Sequence, residues 1–190
     1  NHNDLSISLV KYLASHERAF SMNVPDGWST ECGAAPATAS ALDGLESCYW
    51  MHRDDCKVSI GTICGNLMWA CHNAWLSFRH TMDRKIVRDI YPILRRAVQL
   101  YGKLFEIRFD GGGKTSIHLP ITFSPEFPYL GPDSHYDLAL YRWGLKTIIR
   151  ACEILGKSDD EEPALGNWKD ILSKLAPFPI DGENGFAVAS

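Results

Sequence analysis

The segment His118-Leu-Pro-Ile-Thr-Phe-Ser124-Pro125-Glu126-Phe-Pro-Tyr129 holds the residue types best suited to acid chemistry. Glu126 is a single carboxyl boxed by Phe123, Phe127 and Tyr129 and stiffened by Pro125 and Pro128. An apolar setting disfavours the charged form and raises a carboxyl pKa, which suits a general acid near neutral pH. A glutamate in an ordinary loop is simply solvated; the aromatic and proline frame is what singles this one out. A second unusual stretch is residues 66–78, where Leu67, Met68, Trp69, Ala70, Cys71, Ala74, Trp75, Leu76 and Phe78 leave almost no polar face. A helix apolar all round is covered all round, so His72 and Asn73 inside it need partners or a ligand.

Helical period dominates the elements that must position these groups. Leu5, Leu9, Tyr12, Leu13 and Phe20 are spaced for an amphipathic first helix. A Gly-, Pro-, Ala- and Ser-rich excursion follows from Val24, with turn chemistry at Pro25-Asp26-Gly27 and Cys32-Gly33. Asp83 caps a short helix to Asp89, and Pro92 suits the first turn of another, striped by Leu94, Ala97, Val98, Tyr101 and Leu104. Residues 105–119 alternate around Gly111-Gly112-Gly113 and predict a small hairpin. No helix follows those glycines and no G-x-x-x-x-G-K-[ST] pattern exists, so they are not a phosphate loop. Ser134 with Asp137 forms a capping box for a long helix that Gly156 ends. The stretch 159–162 reads as a solvated acidic turn, and Trp168, Ile171, Leu172 and Leu175 stripe a last helix. Trp75, Trp143 and Trp168 fit packing stripes, and Arg95, Arg96 and Arg142 fit a solvated face.

The 190 residues, 45% hydrophobic and 22% charged, have the composition of a globular domain or part of one. A net charge of −4 argues against a nucleic-acid surface, and no apolar run approaches the roughly 20 residues of a membrane span. The chain starts at Asn1 and carries no signal-peptide pattern. Both ends read as cut. The six cysteines include no C-x-x-C pair, so a zinc site of ordinary spacing is not expected. Cys71 and Cys152 read as buried thiols, whereas Cys32, Cys48, Cys56 and Cys64 have the option of pairing with one another.

The motif order carries a resemblance. Gly65-Asn-Leu-Met-Trp69-Ala-Cys-His72-Asn-Ala-Trp75, then Ile90-Tyr91-Pro92-Ile-Leu, the Ser124-Pro125-Glu126 loop, Asp137-Leu-Ala-Leu-Tyr-Arg-Trp143 and Ile154-Leu155-Gly156 together resemble the middle of the catalytic domain of glycoside hydrolase family 95. The resemblance covers most of residues 60–180 and extends more loosely to Leu5. It implies an all-α architecture, a partial (α/α)6 toroid of helical hairpins with one small β-hairpin. Residues 1–190 then form part of a single six-hairpin glycosidase domain. It also implies an inverting glycosidase of the α-L-fucosidase or α-L-galactosidase kind, secreted or periplasmic, acting on a glycan.

Carried over by motif, Glu126 matches the family's general acid. The resemblance places the base side in an N-x-N asparagine supported by an aspartate. Asn1-His2-Asn3 has that spacing without the aromatic context, so the asparagine is expected upstream of Asn1 and the aspartate beyond Ser190. Inversion needs two groups roughly 6.5–9.5 Å apart around a water. Trp69 and His72, three apart on one side of a helix, are candidates for sugar contact: an indole stacks on a C–H face and an imidazole bonds a hydroxyl. His118 is a third candidate. The alternative for each is a core role. Two protein groups suffice for this hydrolysis, and no ligand cluster is visible, so neither metal nor cofactor is expected. A phosphorylase or lyase on the same toroid, or a non-catalytic helical scaffold, are the competing readings.

Overall fold

The computed structural model describes residues 2–34, 51–52, 57–58, 64–109, 112–123, 130–182, 185–187 and 189. Six helices dominate it: α1 (His2–Ser15), α2 (Glu17–Met22), α3 (Asn66–Thr81), α4 (Arg84–Leu104), α5 (His135–Leu155) and α6 (Leu165–Lys174). The expected first helix is two helices, broken at His16, whose ring stacks on Tyr12 with 4.2 Å between centroids. A left-handed Met82 (φ 57°) ends α3, and Asp83 caps α4 by accepting the Lys85 N–H at 2.8 Å. The two short helices expected around Pro92 are one continuous helix of 21 residues. Ile86, Val87, Ile90, Tyr91, Ile93, Leu94, Ala97, Val98 and Tyr101 stay in phase across the proline and are all buried. Burying that stripe outweighs the interior-proline penalty of about 3 kcal/mol. Ser134 and Gly156 (φ 73°) delimit α5 as their residue types demand.

Among the described residues the strands occur as four antiparallel pairs. The expected hairpin is β3 (Glu106–Phe109) with β4 (Thr115–His118), in register Ile107 to Ile117. Three pairs of two-residue strands were not expected: β1 (Met51–His52) with β2 (Lys57–Val58), β5 (Thr122–Phe123) with β6 (Leu130–Gly131), and β7 (Ile180–Asp181) with β8 (Gly185–Phe186). Two residues cannot display an alternating pattern. The β3/β4 hairpin is moored to the chain after α6, where the Ala176 N–H donates to the Ile117 carbonyl at 2.8 Å.

Helix α4 runs antiparallel to α3, across the short Met82-Asp83 link, and to α5. Helices α3 and α5 are therefore parallel: Asn66 meets Tyr136, Met68 meets Gly144, and His72 meets Trp143. Helix α3 contacts both α1 and α5, and α4 packs on all three. This layering fits part of a helical toroid. Two glycines allow the α3–α5 approach. A Cβ on Gly65 would collide with Leu140 and Tyr136, and one on Gly144 with the Met68 thioether.

Several local expectations are corrected by partners distant in sequence. Helix α3 is not covered on every side: Trp75 and Phe78 are buried, but Trp69 and Leu76 are 48% and 47% exposed. Cys71 and Cys152 are buried free thiols as expected; Cys32 and Cys64 are buried too, and Cys48 and Cys56 lie outside the described residues. Glu162 is not solvated. It is buried, accepting from the Tyr91 hydroxyl at 2.7 Å and from Arg95 Nε at 2.8 Å. Arg96 pairs with Glu17, and Arg142 donates to the Ala176 carbonyl at 2.7 Å, so neither lies on a free face.

Burial pushes the Glu162 pKa up, but hydrogen bonds from Arg95 and Tyr91 and the Arg95 charge outweigh it and hold the carboxyl below its ordinary value. Stability from this group is therefore complete above the ordinary carboxyl range, about pH 4.3, and is lost as pH falls through the lower folded value. Glu162→Gln is expected to cost about 1.5–3 kcal/mol at neutral pH. Urea midpoints of the two proteins should converge toward pH 3, and a gap independent of pH would refute the ion-pair account.

Candidate active site

The N-termini of α3 and α5 and the C-terminus of α4 meet at one end of the bundle, and Asp137 sits at that junction. It lies in the first turn of α5 with no exposure to solvent. Three hydroxyls donate to its carboxylate: Tyr101 from the end of α4 at 2.6 Å, Thr122 from β5 at 2.5 Å and Ser134 from the helix cap at 2.9 Å. Burial raises its pKa, and the bonds from Thr122, Tyr101 and Ser134 oppose the rise. Burial, with the nearby Asp137 charge, pushes the Tyr101 phenol far up, so that proton stays on the phenol and is donated.

A second carboxylate holds the neck of the segment between residues 119 and 133. Asp133 is buried and accepts the Leu119 N–H at 2.7 Å through one oxygen. Its other oxygen is 2.6 Å from His118 Nδ1, and the Asp133 N–H returns to the Leu119 carbonyl at 3.2 Å. A carboxylate oxygen only accepts, so Nδ1 is the donor in this pair, and Nε2 lies 2.9 Å from Ser116 Oγ. Beyond the neck, Thr122 pairs with Gly131 and Phe123 with Leu130.

Glu126 lies outside the described residues, which stop at Phe123 and resume at Leu130. The structure instead defines the frame on which residues 124–129 are mounted. His118 is placed at the foot of that frame with both ring nitrogens bonded within the protein. Contact with a sugar through Nε2 requires exchange of the Ser116 partner.

Trp69 and His72 lie on the part of α3 that contacts α5. Trp69 meets the Tyr136 ring edge-on at 5.9 Å, and the Tyr136 hydroxyl reaches Asn66 Oδ1 at 3.3 Å. One helical turn on, His72 meets the Trp143 ring at 5.0 Å. Trp69 keeps about half its surface open and His72 is half-buried, so both combine a fixed orientation with access. Trp75 and Trp168 are buried in the packing, as their stripes imply, and Trp143 packs against the core while contacting His72.

The structure thus brings Trp69, His118 and the described residues on either side of 124–129 to one end of the bundle, with His72 a turn further along. A groove of about 870 Å³, lined by Trp75, Phe78, Met82, Arg79, Arg84 and Arg150 among others, opens at the opposite end and includes none of these residues. Sequence reasoning missed Asp133, Tyr101 and Thr122 as site-forming groups. The Ser134/Asp137 capping box was its only signal for the buried network.

The model of the glycosyl hydrolase family 95 catalytic domain matches residues 36–186. No curated protein matches the chain.

Thr122→Val keeps shape but removes one donor to a buried carboxylate. It is expected to lower stability by about 1–3 kcal/mol, read as a lower denaturant midpoint at unchanged slope. Unchanged stability would show that the Thr122–Asp137 bond contributes nothing.

Proposed function

The chain belongs to glycosyl hydrolase family 95, and from that premise we propose that it takes part in the inverting hydrolysis of a terminal α-linked L-fucose or a related galactose-type sugar. Glu126 is the general acid in this reading. Its carboxylic proton passes to the glycosidic oxygen as the C–O bond breaks, and water attacks the anomeric carbon from the opposite face, assisted by a base. The sugar rests against Trp69, whose half-open indole offers an apolar face, with His72 and His118 as hydrogen-bonding groups. The observation that carries the reading is the convergence on one end of the bundle of the exposed Trp69, held by Tyr136, and the doubly tied flanks of the Ser124-Pro125-Glu126 segment.

Those ties support catalysis specifically. A general acid must stay within hydrogen-bond reach of the leaving oxygen. The neck at Asp133 and the Thr122–Asp137 bond fix both ends of the segment that carries it. They connect to α5, which also carries Tyr136 and Trp143 against Trp69 and His72.

Glu126→Gln in the full-length protein is expected to keep fold and sugar affinity and to lower kcat on an ordinary α-L-fucoside by about 10²–10⁴. The loss should shrink on a glycosyl fluoride, whose leaving group needs little protonation. Near-normal hydrolysis of the ordinary fucoside by the variant would end the assignment. Trp69→Ala is expected to raise KM roughly ten-fold or more, corresponding to about 1.4 kcal/mol of lost sugar contact. An unchanged KM would remove Trp69 from the binding surface.

A further inference from the structure

We propose that the outer edge of β3 is a self-association surface, on which a second copy of this chain adds its own β3, antiparallel about Ile107. All four residues of β3 are exposed, Ile107 at 54% and Phe109 at 75%. Strand β4 holds one side of β3, and among the described residues no strand pairs with the other. The direction of the free backbone groups follows from the mooring of β4. The Ile117 carbonyl accepts from the Ala176 N–H, so it points away from β3. Ile107 and Ile117 are therefore a non-hydrogen-bonded pair of the hairpin, and the Ile107 N–H and C=O point outward from β3. The alternation gives Phe109 the same outward direction and turns the backbone groups of Glu106 and Arg108 inward to β4. An unpaired edge of this kind, with apolar side chains at its free positions, is a template for one further strand.

The residues of the strand select both the occupant and the register. A second β3 lying antiparallel across a two-fold axis can centre on residue 106, 107 or 108. Centring on 106 sets Glu106 against Glu106, and centring on 108 sets Arg108 against Arg108; like charges directly opposite are destabilising. Centring on 107 sets Glu106 of each copy opposite Arg108 of the other. It also lets Ile107 exchange both of its outward backbone bonds with its counterpart. Glu106 and Arg108 lie on one face of β3, 3.6 Å apart and exposed. Such a surface pair contributes little, so exchanging it for two pairs between strands costs little. The other face presents Phe105, Ile107 and Phe109, which with Ile117 and Ile171 of α6 line a groove of about 190 Å³. In the register about Ile107, Phe109 of one copy faces Phe105 of the other and extends this apolar lining. The far edge of the hairpin is taken by the bridge from Ile117 to Leu175. The contact is therefore isologous and closes at two copies.

The test is analytical ultracentrifugation of the full-length protein from micromolar to sub-millimolar concentration, because two four-residue strands make an interface at the low end of specific complexes. The wild type is expected to pass reversibly from monomer to dimer. Glu106→Arg and Arg108→Glu each oppose like charges in both cross-strand pairs, and each is expected to raise the dimer dissociation constant about ten-fold or more. The Glu106→Arg/Arg108→Glu double variant restores opposite charges only in the register about Ile107, and is expected to return to within about three-fold of the wild type. Both side chains are exposed, so cooperative thermal unfolding is expected in every variant. If one charge variant fails to unfold cooperatively, Ile107→Lys replaces it, setting two cations at the centre of the interface, and is expected to abolish association. A wild type that stays monomeric throughout the range overturns the proposal. So does a dimer that none of these single changes weakens, or a double variant no tighter than the single ones. Hydrogen exchange at the Ile107 amide supplies a second readout. Protection that grows with concentration supports pairing with a second copy. Protection already complete in the monomer assigns the edge to another segment of the same chain and overturns it.

Discussion

A carboxylate with no access to water needs every lone pair answered, and Asp137 imposes that demand where α4, α5 and the acid segment meet. Its desolvation is offset by hydroxyls from Tyr101, Thr122 and Ser134, each from a different part of the chain. It also sits in the first turn of α5, where the unpaired N–H groups of the helix favour negative charge. None of these donors can move independently without leaving the carboxylate under-bonded. The C-terminus of α4, the N-terminus of α5 and the entry to residues 124–129 are thereby locked in a single arrangement.

The close approach of α3 to α5 serves the same end of the bundle. Gly65 and Gly144 remove the side chains that would hold the helices apart, and the space is taken by Leu140, Tyr136 and Met68. Aromatic side chains at the contact then meet in pairs, Trp69 with Tyr136 and His72 with Trp143. Edge-to-face contacts of this kind add directional preference to apolar burial. The result is a tryptophan that is both half-exposed and fixed in orientation, the combination a sugar platform requires.

The parts legible in the sequence were those encoded locally. The stripes of α4 and α5, the Ser134 cap, the Gly156 stop and the β3/β4 hairpin all follow from residue type and spacing. Pro92 was misleading because its local penalty is smaller than the burial gained by the stripe on either side. Helix α3 departs from the expectation because periodicity reports apolarity, and an apolar residue open to solvent looks the same in sequence as one facing the core; Trp69 and Trp75 differ in exposure. Glu162 and Asp133 were invisible for another reason. Their partners Arg95 and Leu119 lie 67 and 14 residues away, and no local pattern records such pairings. The candidate acid was legible as a motif, whereas the machinery that holds its segment was not.

That machinery gives α5 a role beyond packing. A helix is stiff over its length because each turn is bonded to the next. On this one helix, Asp137 fixes Thr122 at the entry to the acid segment, while Tyr136 contacts Trp69 and Trp143 contacts His72. Asp133, next to the Ser134 cap of this helix, bonds to His118 and to the Leu119 N–H. The entry to residues 124–129 and the aromatic pairs on α3 are thus referred to a single rigid element and not to the sum of several loops. Proton donation to a glycosidic oxygen tolerates little error in distance. Thr122 and the Trp69–Tyr136 pair are referred to the same helix, so motion of the surrounding loops leaves their spacing unchanged unless the Asp137 junction is broken.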